Sequence, residues 1–174
     1  MSDEVEIGRG KRGRRAYTLD DIALVPSRRT RDPEDVNVGW QIDAYHVDTP
    51  LMAAPMDSVM SPETAIAFGR LGGIGVLDLD GLWTRYEDPT PILDHIAHLG
   101  EEESIATLQR VYSEPIKPSL ITARLKQLRE AGVVVAGKLS PQRVQKHWRA
   151  VVDAGVDLLI IRGSTVSAEH VSSR

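Results

Sequence analysis

Cysteine is absent from this 174-residue chain. That excludes disulfides, zinc–thiolate sites and thiol catalysis within it. No apolar run approaches the roughly eighteen residues that suggest a membrane span. The amino end, MSDEVEIGRGKRGRR, lacks the apolar stretch of a secretory signal. A cytoplasmic location with no membrane partner is therefore expected. Positive charge is not in excess either, since the formal net charge is −4, and this argues against nucleic acid as a partner of the whole chain. The one basic cluster, Lys11-Arg12-Gly13-Arg14-Arg15, is read as part of a flexible, solvated tail over residues 1–16, in preference to a nucleic-acid arm. The tryptophans are scattered and make no stacking platform.

What is present describes one folded domain. Apolar residues at 41% and charged residues at 26% exclude a disordered or fibrous chain. The informative pattern is a repeated unit of amphipathic helix, Ala-Gly or Gly-Gly, short apolar strand and polar loop. Ser140-Pro141 opens one copy, with Ser as N-cap and Pro at the first helical position. Val144, Trp148, Val151 and Val152 fall on one helix face, and Ala154-Gly155 ends the helix. DLLIIRGS follows as a strand apolar on both sides, which suits a covered parallel sheet or a barrel. The preceding copy has Ile121, Leu125 and Leu128 on its helix and VVVAG as its strand. An earlier copy runs from Ser61-Pro62 to Leu71-Gly72-Gly73 and into IGVLDL, with PLMAA as the strand before it. Alternation of this kind predicts a parallel α/β architecture, the four strands adjacent in chain order.

Gly72, Gly73 and Gly75 do not make a dinucleotide fingerprint, because they close a helix and lead into a strand rather than the reverse. The interval from Leu79 to Val133 reads as turns and helices, near 91–99 and 101–111. It is longer than one crossover needs and too short for a large inserted domain. Before PLMAA, an irregular cap is expected, with short strands at Ile22–Val25 and within Gln41–Val47.

Polar groups at the carboxyl ends of parallel strands face the ligand site in such folds. Met56-Asp57-Ser58 follow the first strand, Asp78 and Asp80 the second, Lys138 and Ser140 the third, and Arg162, Ser164 and Thr165 the fourth. For Asp57 a role in the site and a role as a local cap stay equally open, and for Asp80 capping is favoured. His95 and His98 are read as a surface face rather than a metal pair, and His147 as partly solvated beside Trp148.

The segments TLDDIALVPSRRT, PLMAAPMDSVMSPETAIAFGRLGGIGVL and AGVDLLIIRGSTVSAEH together resemble the IMP dehydrogenase / GMP reductase family of (β/α)8 TIM barrels. RRAY, VPSRRTRDPEDV and VSAEHVS are most similar to the IMP-dehydrogenase-related branch that lacks the paired regulatory domains after strand two. The resemblance implies a purine nucleotide (IMP, XMP or GMP) across the barrel mouth, with NAD or NADP beside it. It also implies a homo-oligomer, a tetramer in complete family members. It assigns Met56 to packing on the purine, Asp57 to strand-end geometry, and Ala54 to a position usually held by serine near the nucleotide. Arg162-Gly163-Ser164 fall where the family contacts the nicotinamide ribose, usually with aspartate, and an arginine cannot accept hydrogen bonds from ribose hydroxyls. Arg28, Arg29 and Arg31 either grip a cofactor 2′-phosphate, as the basic segment of GMP reductases does, or form a solvated loop.

A complete barrel takes about 250 residues. Residues 17–174 are therefore expected to form its amino-terminal half, the first four or so strand–helix units. In the family a thiolate attacks purine C2, splitting one difficult step into two. That cysteine, the potassium loop, the main phosphate grip and the mobile flap belong to the later half. The expectation is a truncated purine-nucleotide oxidoreductase, inactive alone. The alternative is a non-catalytic nucleotide-binding or interaction protein built from half a barrel. An unrelated phosphate-sugar barrel enzyme fits the APMDSV and LGGIGVL pairing poorly.

Overall fold

The computed structural model describes residues 4–26 and 29–163. The chain divides between Val36 and Asn37 into two compact units. In the first, β1 (Glu4–Glu6) and β2 (Arg12–Arg14) pair antiparallel, so the basic cluster lies on a small hairpin. Thr18 and Asp21 then close a 3-10 turn over Leu19–Asp21, the Thr18 N–H donating to Asp21 Oδ2 at 2.9 Å. Ile22–Val25, expected as a strand, joins no sheet among the described residues. Leu24 is fully solvent-exposed there. Apolar composition alone does not make a strand without a partner ladder.

The second unit opens with β3 (Trp40–Ile42) and β4 (Tyr45–Val47), an antiparallel hairpin where a single strand was expected. It continues through β5 (Met52–Ala53), α1 (Pro62–Arg70), β6 (Ile74–Asp78), α2 (Thr90–Ala97), α3 (Glu101–Val111), α4 (Pro118–Glu130), β7 (Ala136–Leu139), α5 (Pro141–Asp153) and β8 (Leu158–Ile161). The sheet order is β5-β6-β7-β8, parallel throughout, with Val76 opposite Ala136 and Ala136 opposite Leu158. This is the parallel α/β arrangement that the repeated unit predicts, and it forms part of the TIM-barrel-type architecture that the resemblance implies.

Alternation sorts the strand residues onto two faces. Leu77, Leu79, Val135 and Leu139 pack with Ile121, Leu125 and Leu128 of α4 and Val151 of α5. Ile74, Val76 and Ala136 pack on the other face with Val47 and Ile42 of the hairpin. Ser61 caps α1, its Oγ accepting from the Thr64 N–H at 3.0 Å, with Pro62 in the first turn. Gly72 takes φ +87 where α1 ends, a conformation that disfavours a side chain. Gly75 lets α1 lie directly on β6, since a Cβ there would stand 2.5 Å from Ala65 Cα.

Three local expectations need correction. The third strand begins at Ala136, not Val133, because its ladder is set by Val76–Asp78 on the neighbouring strand. Ser140 holds the N-cap position of α5 but makes no side-chain cap bond. On α5 the buried positions are His147 and Val151, while Trp148 and Val152 are exposed. His147 is thus buried, not solvated. Burial, followed by the charges of Lys146 and Arg143, pushes its pKa down and favours the neutral ring.

At the amino end of β8, Asp157 ties four segments together. Its Oδ1 accepts from Arg129 Nη2 at 2.6 Å and from the Tyr45 hydroxyl at 2.7 Å. Its Oδ2 accepts from the Val135 N–H at 2.9 Å. Burial alone would raise this carboxyl, but the donors outweigh it and hold the pKa below the usual value. The folded value being depressed, its contribution is present above the unfolded pKa and is lost as pH falls through the folded one. Replacing Asp157 by Ala should cost about 2 kcal/mol in urea unfolding at neutral pH, with the difference shrinking in acid. An unchanged midpoint would show that the cluster contributes nothing.

Candidate functional site

The carboxyl ends of β5, β6 and β7 carry a polar cluster that extends the Ile74–Val76–Ala136 face. Asp78 and Lys138 are direct cross-strand partners. Lys138 Nζ lies 3.2 Å from Asp78 Oδ1 and 3.2 Å from Asp80 Oδ2, with all three side chains at most 17% exposed. Asp80 Oδ2 also accepts from the Ser140 N–H at 2.7 Å, so a residue sixty positions away satisfies the start of α5. Burial raises the Asp78 pKa despite its donors. Burial acts to lower Lys138, but its two carboxylates outweigh it and the net shift is upward. The ammonium therefore stays charged at neutral pH.

Beside this triad, the chain leaving β5 makes a tight turn. The Val59 and Met60 N–H groups both donate to the Met56 carbonyl, at 3.1 and 2.8 Å, and Met60 is buried as the anchor. Asp57 points inward from that turn. Its Oδ2 accepts from the Leu82 N–H at 2.7 Å and from the Tyr112 hydroxyl at 2.5 Å. Burial and then the Asp57 bond push the Tyr112 phenol far up, so it remains a donor. Met56 itself is 47% exposed. The arrangement presents an exposed thioether at the carboxyl end of β5, on a turn whose neighbouring carboxylate is fixed from two sides.

Of the residues singled out from sequence, Ala54, Met56 and Asp57 come together on the β5 exit. Arg162 and Gly163 lie exposed just beyond β8, the Arg162 N–H donating to the Leu139 carbonyl at 3.1 Å. Arg29 and Arg31 are exposed in the first unit. Arg28 and Ser164 fall outside the described residues. Asp78, Asp80 and Lys138, noted as strand-end groups, form one ion cluster. His95 on α2 and His98 at its C-cap are both exposed. Tyr112, Gly81 and Arg85 were not anticipated. The buried Arg85 guanidinium donates to the Asp80 and Glu114 carbonyls and lies 5.5 Å from the Tyr112 ring. Sequence offers no signal for Tyr112, which meets Asp57 only through the fold. Gly81 sits in a polar loop, where a glycine is unremarked.

Gly81 is required by space. A Cβ there would stand 2.2 Å from Asp57 Oδ1. Gly81→Ala should therefore displace a carboxylate that its two donors hold, costing about 1–3 kcal/mol in urea unfolding. An unaltered midpoint would mean the carboxylate moves freely.

The family model of the IMP dehydrogenase / GMP reductase domain matches residues 16–174. An uncharacterized oxidoreductase of Mycolicibacterium smegmatis is 44% identical over 97% of this chain and 46% of its own length. The IMP dehydrogenase of Methanocaldococcus jannaschii is 41% identical over a shorter stretch, 37% of this chain and 13% of its own. The crystal structure of an IMP dehydrogenase/GMP reductase-like protein from Corynebacterium glutamicum superposes with a TM-score of 0.82 at 43% identity, covering 97% of this chain and 47% of that one. The chain thus spans about half the length of the mycobacterial relative and of that structure.

Proposed function

The chain belongs to the IMP dehydrogenase / GMP reductase family, and from that premise we propose that it supplies the purine-facing first half of a nucleotide oxidoreductase barrel. The substrate class is a purine 5′-monophosphate: IMP, XMP or GMP. The observation that carries this reading is Met56, half-exposed at the mouth on a turn anchored by Met60 and Asp57. A flat purine ring needs such an apolar platform, and a thioether adapts well to an aromatic face.

For the cofactor, NAD or NADP, the fit is incomplete. Arg162 is a cation with donors only, so it suits a phosphate and not the ribose hydroxyls. Arg28, Arg29 and Arg31 have the chemistry for a 2′-phosphate. The residues of this chain bind and orient. No cysteine is present to attack the purine, which also favours the second reading, a nucleotide-binding chain without turnover of its own. A cytoplasmic location is part of the proposal; no helix among the described residues is long and apolar enough to cross a membrane.

The chain alone should bind IMP or GMP in equilibrium dialysis, with Met56→Ala weakening binding about tenfold, as expected for roughly 1–2 kcal/mol of lost apolar contact. Absorbance at 340 nm should show no turnover with either nucleotide and either cofactor. Absence of nucleotide binding would remove the reading, and steady turnover would remove the role assigned to the missing thiolate.

A homo-oligomer is proposed on the same footing. Beyond β5 and β8 no further strand pairs among the described residues, and Leu51, Met52 and Ile161 are exposed at those borders. Unpaired apolar edges recruit other chains. Size exclusion with light scattering should find a self-associated species at micromolar concentration. A monodisperse 19.2 kDa particle would contradict it.

A further inference from the structure

Between β6 and α4 the helical pair α2–α3 forms an excursion that buries little of itself. No residue of α2 is buried, and α3 buries only Val111 at its last position. The excursion is seated mainly through contacts near its two ends. The Tyr86 hydroxyl donates to the Val111 carbonyl at 3.1 Å, the Arg85 guanidinium donates to the Glu114 carbonyl, and the Tyr112 hydroxyl donates to Asp57 Oδ2 at 2.5 Å. The last of these reaches out of the excursion and into the turn that carries Met56.

That turn has two other restraints. β5 fixes its start, and buried Met60 fixes its end. Between them the Asp57 side chain is the remaining tether, and its Oδ2 takes both donors, Tyr112 and the Leu82 N–H. Oδ1 is buried with no partner among the described residues. Removing the phenol would leave the carboxylate with one donor in place of two. A bond between a hydroxyl and a carboxylate is among the stronger neutral-to-ion contacts, so this loss is not negligible.

We infer that Tyr112 is a positioning residue for the nucleotide-facing turn 54–60. Its hydroxyl couples the seating of the α2–α3 excursion to the presentation of Met56. The coupling stands on the geometry; its consequence for nucleotide affinity rests on the function proposed above. A disturbance of the helical pair would thereby reach the site through this one bond.

The test is Tyr112→Phe, which keeps the ring over Arg85 and removes only the hydroxyl. Hydrogen–deuterium exchange should quicken about tenfold or more at the amides of 57–60 and at Leu82, the size expected for one charge-assisted bond. Exchange in β6, β7 and α4 should stay as in the parent. The dissociation constant for IMP or GMP should rise several-fold. Unchanged exchange across 57–60 and Leu82 would overturn the inference. So would uniform acceleration through the sheet, which would mark a merely global loss of stability. A second comparison uses Asp57→Asn with and without Tyr112→Phe: additive effects on the Leu82 amide would also overturn it. If the parent protein binds no purine nucleotide, the proposed function fails, while the exchange data still decide whether Tyr112 positions the turn.

Discussion

Strand β6 is buried on both faces from Ile74 to Leu77, so a polar side chain can occur on it only where it runs out. One face meets α1, α4 and α5, and the other meets the β3–β4 hairpin and the apolar residues of β7 and β8. Such burial is tolerable because the parallel ladders to β5 and β7 satisfy its backbone. The same constraint gathers charge at the carboxyl end. Asp78 emerges there opposite Lys138, and Asp80 follows within reach of the same ammonium.

Charges this poorly exposed are costly unless each meets partners of opposite sign or good donors. Lys138 answers two carboxylates, and the Ser140 and Asp80 N–H groups supply further donors. The cluster thereby joins the ends of β6 and β7 to the start of α5. It lies on the strand next to β5, whose exit carries the exposed Met56. The opposite end of the sheet uses the same device, with Asp157 collecting Arg129, Tyr45 and the Val135 N–H. One end of the sheet is tied together by Asp157, and the other carries the site proposed above for a ligand, a division usual in barrels of this type.

Asp57 links these layers to the excursion after β6. It lies on the turn that leaves β5, yet its donors come from Leu82 and Tyr112, both beyond β6. Gly81 makes room for the carboxylate, and Arg85 braces the loop on its other side. The expectation for Asp57 held site and capping roles equally open. In the structure its carboxylate receives the first N–H of the short helical turn Leu82–Thr84, while Ser61 caps the helix that follows its own strand.

Sequence by itself determined the order and direction of the four strands, because a helix closed by glycine before each of the last three apolar runs, with PLMAA before the first helix, leaves only a parallel arrangement with short connections. It also set Ala54, Met56 and Asp57 within four positions of one another on one strand exit, and the resemblance assigned them to the site. The tertiary structure decided what depends on a partner. Val133–Val135 are as apolar as any strand, but the ladder starts at Ala136 because β6 sets the register. Ile22–Val25 has strand composition but no strand to pair with among the described residues. Val144, Trp148, Val151 and Val152 form a plausible stripe, yet packing turned His147 inward and left Trp148 outside. Tyr112 meets Asp57 across fifty-five positions. Local patterns record how a segment would be covered; only the folded chain supplies the neighbour that covers it, because burial and hydrogen bonding are properties of pairs.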